Sequence, residues 1–258
     1  MRKFQPYALG LFIGLVSLVS LTILERFPDP KIFIPVFFVW LLIVGGIAWI
    51  FQRAKRFAKD VFWQVLATIA CMAGLIIVVD VTQVRVLLSL LTAGILAMLF
   101  GWHLFSPPEV SHSHKPLRRF VMTVWVFDTY ALVTFIFALG AFFPSSFLFI
   151  LLNLFAGLFI GAVTVMIWRE YFAAKVQSFL IWSVIVSVVT MELLWVLHLL
   201  PFAYTTLGLL LVWIWYIIQL LVRFHFSTRG IQWKSQVRFL LVNVILYLGL
   251  LVFFVRWV

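Results

Sequence analysis

The stretch MELLWVLHLLPFAY, residues 191–204, sets a carboxylate, Glu192, and an imidazole, His198, into an otherwise apolar run. Such a pair can act as acid and base, or hold a polar headgroup. Six residues separate the two, about 120° around a helix and about 9 Å along it, so they cannot hydrogen-bond to each other on a regular helix. A joint catalytic role therefore needs an unwound turn near Pro201 or help from another segment. A second acid, Asp128 in VWVFDTYAL, sits in a different apolar run, as does the amide of Asn153 in FILLNLF. Asp80 and Arg85 flank a tight turn.

An ionisable side chain within hydrocarbon costs about 2.5–3.5 kcal/mol on insertion scales and generally faces a partner or a cavity. If the apolar runs are membrane spans, Asp128 lies about 5 Å to the cytoplasmic side of the midplane and Glu192 about 7 Å to the outer side. That separation in depth excludes a tight two-carboxylate site. Asn153 falls at nearly the depth of Glu192, about 5 Å beyond the midplane. Asp80, Arg85, Asn153, Glu192 and His198 are accordingly expected to line one substrate-binding cavity in the outer half, with Arg85 offsetting the burial of Glu192. Asp128 is then a separate intramembrane acid. The plainer alternative has Asp80 and Arg85 capping a wet turn, His198 at the interface and Glu192 bonded to Asn153.

The segment WHLFSPPEVSHSHKPLRR supplies His103, Glu109, His112 and His114, and His225 ends a later span on the same side. Imidazoles can bind zinc or another transition metal. The spacing matches no zinc motif, however, and Lys115, Arg118 and Arg119 repel a cation. A solvated basic loop is the reading adopted; His103, His112 and His114 are the residual metal candidates, and no metal is expected. No Gly-rich phosphate loop, H-E-x-x-H, G-x-S-x-G or paired Cys-x-x-Cys occurs, so no cofactor is expected. Cys71 is alone, which rules out an intrachain disulfide.

The elements that must position these groups follow from composition. Of 258 residues, 66% are apolar and 10% charged, and the mean hydropathy is +1.20. Long charge-free apolar stretches recur along the whole chain, each near the 20 or so residues that cross a bilayer. The spans predicted are 7–24, 32–51, 61–79, 84–105, 120–143, 147–168, 176–200, 203–222 and 237–257. The fold class is all-α, a polytopic bundle of about nine spans in one integral membrane domain, 1–258. The first of them follows Arg2 and Lys3 as a signal peptide would, yet its run is long and no A-x-A site follows; it reads as a retained span. Short turns at Pro144-Ser145-Ser146 and Pro201-Phe202 predict antiparallel hairpins between spans five and six and between seven and eight.

Charge sets the orientation. With the amino terminus in the cytoplasm and the carboxyl terminus outside, only Arg26, Lys31, Arg85 and Arg256 of the 19 Lys and Arg fall on the outer side. That is a strong positive-inside bias, and it predicts a multi-pass protein of the plasma membrane. The net charge of +11 is spread over short loops, so no nucleic-acid partner is expected; QRAKRFAK (52–59) suits anionic headgroups instead. Small residues spaced by four (Gly10 and Gly14, Ala70 and Gly74, Ala93 and Ala97, Gly157 and Gly161) predict close helix contacts. The letters GLFIG recur at 10–14 and 157–161, in spans that run oppositely, as an inverted repeat would require. Packing alone also accounts for the match.

Three functions fit this pattern. The first is a small transporter or translocase for a small or lipid-like solute, with Glu192 as the ion- or proton-linked acid. A non-catalytic assembly or scaffold subunit, meeting a membrane-protein partner or a second copy, is the alternative. The third is an intramembrane enzyme acting on a lipid headgroup through His198 and Glu192.

Overall fold

The computed structural model describes residues 5–27, 29–54, 59–105, 115–172, 177–226 and 233–253. Among them are nine helices and no strand: α1 (Gln5–Arg26), α2 (Pro30–Arg53), α3 (Lys59–Val78), α4 (Thr82–Phe105), α5 (Lys115–Phe142), α6 (Ser146–Tyr171), α7 (Gln177–His198), α8 (Tyr204–Phe226) and α9 (Trp233–Phe253). Eight are long and apolar enough to cross a membrane; α9 carries a shorter apolar stretch, Leu240–Gly249. The chain is a multi-pass, all-helical membrane protein.

Local chemistry places the breaks. Asp29 caps α2, its carboxylate accepting from the Lys31 amide at 2.9 Å, and Pro30 opens the helix where its missing N–H goes unneeded. Ser145 does the same for α6, accepting from the Leu148 amide, after Pro144 has stopped α5. Several helices run past the predicted spans at their charged ends. α5, for example, begins at Lys115 rather than near residue 120, because Lys and Arg are good helix formers once outside the hydrocarbon.

The chain divides within α5 into two compact units, residues 1–132 and 133–258. In the first, α1 packs most extensively against α4 and also touches α2 and α3. Gly10 and Gly14 make the α1–α4 contact close: a Cβ on Gly10 would stand 2.7 Å from the Ala97 carbonyl oxygen, and one on Gly14 would stand 3.1 Å from the Ala97 Cβ. The pairing runs Gly10 to Gly101 and Gly14 to Ala93, so the two helices are antiparallel. Ile13, Leu21, Trp40, Val44, Ile69, Leu96 and Phe100 form the apolar core of this unit. Trp40 also donates its indole N–H to Ser17 at 3.0 Å, tying α2 to α1 inside that core.

The second unit is built on the α6–α7 pair, with α8 against α7. Gly157 and Gly161 lie over Met191, Ser187 and Ser183, leaving no room for a side chain. The Ser183 hydroxyl reaches the Gly161 carbonyl oxygen at 2.9 Å. Both copies of GLFIG thus present their glycines to a neighbouring helix. Gly10 and Gly14 meet a helix three places on, whereas Gly157 and Gly161 meet the next one, so the five letters mark close packing in two different connections. The hairpins form as expected: Gly140 near the end of α5 abuts Phe149 in α6, and α7 packs on α8. Indole N–H groups join α8 to its neighbours, Trp215 to Thr164 at 3.0 Å and Trp213 to Asn243 at 3.1 Å.

Candidate functional site

Helix α3 carries the polar groups that matter most in the first unit. Gln64, Thr68 and Cys71, spaced four and three apart, share one face, and all three are buried. That face meets α5, which runs parallel to α3. Gln64 donates its amide N–H to the Val121 carbonyl oxygen at 2.9 Å. One turn along, Thr68 donates its hydroxyl to Oδ2 of Asp128 at 2.8 Å. Asp128 is wholly enclosed, and its other oxygen, Oδ1, has no hydrogen-bond partner among the described residues. An enclosed carboxyl held on one side only, at the middle of a spanning helix, is a group that can take up and release a proton or bind a small cation.

The five residues expected to line an outer cavity are distributed over both units. Asp80 and Arg85 belong to the first. They are joined through the backbone, the Arg85 guanidinium donating to the Asp80 carbonyl oxygen at 3.1 Å. Arg85 also lines a cavity of about 170 Å³ with Glu25, Leu24, Phe33, Ile34 and Ile76. Asn153, Glu192 and His198 belong to the second unit. Asn153 donates its side-chain N–H across α6–α7 to the carbonyl oxygen of Met191, the residue before Glu192, at 3.2 Å, and its own Oδ1 has no partner among the described residues. His198 stacks on Phe149, ring centroids 4.0 Å apart and planes 24° from parallel. Asn153 and His198 therefore lie along the α6–α7 contact, while Glu192 is exposed on the other side of α7 with no hydrogen bond or ion pair among the described residues. The two polar faces of α7 are real; only one of them is covered by α6.

Three buried groups stand out that spacing alone did not mark: Gln64, Thr68 and Gln219. Gln219 in α8 is wholly buried with neither side-chain amide atom partnered among the described residues, although its backbone carbonyl accepts from the Trp168 indole at 3.2 Å. The signal for Gln64 and Thr68 was present as a polar pair one turn apart inside an apolar run. His112 and His114 lie outside the described residues, as does the side chain of His103. Two further grooves, about 480 Å³ between α1 and α4 and about 560 Å³ between α1 and α2, are mainly apolar and are lined by no acid, base or histidine.

No family model, curated protein or solved structure matches this chain.

Proposed function

We propose that the protein is a small transporter or translocase for a small or lipid-like solute, with Asp128 as its proton- or cation-linked acid. The observation that carries this reading is the enclosed Asp128 carboxyl, bonded to Thr68 through one oxygen and unpartnered at the other. A purely structural acid in the bilayer interior would be selected with all its hydrogen bonds made, because each missing one forfeits stability. The cavity lined by Glu25 and Arg85, beside Asp80, supplies a polar mouth in the same unit, and α3 runs from that end to Thr68. In the second unit, Asn153 and His198 bind α6 to α7 in this reading, and Glu192 is left for another role.

The arrangement that goes with this reading is a single integral domain of nine spans in the plasma membrane, amino terminus cytoplasmic and carboxyl terminus outside. Its support is the positive-inside bias of the loops, and basic loops such as 52–59 would then rest on anionic headgroups.

The test is a proton-flux screen in sealed vesicles, wild type beside Asp128→Asn, across a panel of small and lipid-like solutes. Flux elicited by one solute and lost in a folded Asp128→Asn variant is the expected result. Equal flux from both proteins would remove Asp128 from the mechanism. A second reading, an assembly subunit of a membrane complex, is favoured by the outward position of Glu192.

A further inference from the structure

Helix α7 carries an ordered seam along its exposed face, which meets α6 only at its edge, where Trp195 lies 5.5 Å from the Phe149 ring. Ile181, Ile185, Val188, Glu192, Trp195 and, one residue past the helix end, Leu199 follow one another at intervals of four, three, four, three and four, and all six are exposed. That is the spacing of a heptad seam, the pattern by which one helix receives another at a shallow left-handed crossing. Most transmembrane helix pairs pack in this way. Within it, Glu192 holds the place at which a single polar residue fixes register and partner.

The acid is also well inside the apolar layer. It precedes the end of α7 by six residues, about 9 Å along the axis. Asp128 and Glu192 are the two acids among the described residues that lie away from helix ends, and Asp128 is enclosed whereas Glu192 is not. Lipid tails offer a carboxyl no hydrogen bond, so an open face of this kind is matched by a donor from elsewhere. A second copy of this chain docked through the same seam does not supply a base, since α7 contains no Lys or Arg. A two-fold pairing of α7 with its own copy would set Glu192 against Glu192.

We propose that the outward face of α7 is the docking seam for a transmembrane helix of a different membrane protein, which presents a lysine or arginine to Glu192. The five apolar side chains of the seam supply van der Waals packing and the ion pair supplies register and selectivity. The inference deepens the assembly reading and rests on it. It stands apart from the transport reading, which concerns α3 and α5.

The seam is tested by placing a photoreactive amino acid at Val188 or Leu199 in the full chain, in native membranes, with Leu158 on α6 as an off-seam control. The expected product is an adduct with one other membrane protein, formed from the seam positions and absent from the control. Its cross-linked peptide, sequenced by mass spectrometry, should be a membrane-spanning segment with a Lys or Arg within one turn of the attachment point. Glu192→Gln should reduce that adduct at least ten-fold while the protein remains folded, and Glu192→Lys should regain it when the partner's base is replaced by an acid. Adducts with lipid alone, with a second copy of this chain, or with a segment lacking a base would overturn the proposal, as would an adduct undiminished in Glu192→Gln. Loss of proton flux in the vesicle screen bears on Asp128 alone, so failure of one idea is distinguishable from failure of the other.

Discussion

Thr68 on α3 donates its hydroxyl to Oδ2 of Asp128 on α5 across 2.8 Å, and neither side chain is reached by solvent. The two residues are 60 apart in the chain, so this bond is tertiary and holds two parallel helices in register. Thr68→Val would leave the carboxyl with neither oxygen bonded and is expected to lower stability by about 1–3 kcal/mol. Replacing both groups, Thr68→Val with Asp128→Leu, should recover most of the loss, because no buried polar atom is then stranded. Cys71, the single cysteine and itself buried, gives a direct readout: a thiol-reactive fluorophore reports the temperature at which it becomes accessible.

Gly10, in the α1–α4 contact, and Gly46, in α2, carry predictions of opposite sign. Gly10→Ala would press a methyl against a backbone oxygen at 2.7 Å, which cannot turn aside, and should cost about 1–3 kcal/mol. Gly46 faces open space, so Gly46→Ala should be neutral or stabilise by up to about 1 kcal/mol through helix propensity. The same Cys71 melt separates the two.

Trp215 and Thr164 test the worth of an interhelical bond within the second unit. Trp215→Phe keeps the bulk of the ring and removes the N–H that reaches Thr164. The expected loss is about 0.6–1.7 kcal/mol, the range for hydrogen bonds between membrane helices. A double-mutant cycle with Thr164→Val should assign most of it to the pair.

His198 can be split into ring and base. His198→Phe retains a flat ring to stack on Phe149 and should melt within about 0.5 kcal/mol of wild type, whereas His198→Ala should lose about 0.5–1.5 kcal/mol. The headgroup-enzyme reading requires the imidazole, so a His198→Phe protein that still alters a lipid would end it.

The eight long apolar helices were legible because a bilayer demands about 20 apolar residues in a row, and that demand writes itself locally. The same holds for the hairpins at Pro144 and Pro201 and for the glycines of α1 and α6, where small size at a spacing of four is already the contact. The partners of the polar residues were not legible. Thr68 and Asp128 carry no mark of each other, since their pairing depends on how α3 and α5 pack. Asn153, expected at the depth of Glu192, bonds to the Met191 carbonyl, and a backbone oxygen is the same in every residue. Two polar faces of α7 follow from simple rotation along the helix; which of them a neighbour covers is decided by α6, and α6 takes the one bearing Ser183 and Ser187.

The interlock of Gly10 and Gly14 with Ala93, Ala97 and Gly101 has a consequence for biogenesis. α1 leaves the ribosome before α4, its most extensive contact, which ends only at Phe105, after two intervening helices have been threaded into the bilayer. At ordinary rates of synthesis that is a wait of about 4–16 s. During this interval the glycine-lined groove of α1 is open to lipid, or to whatever insertion factor shields it.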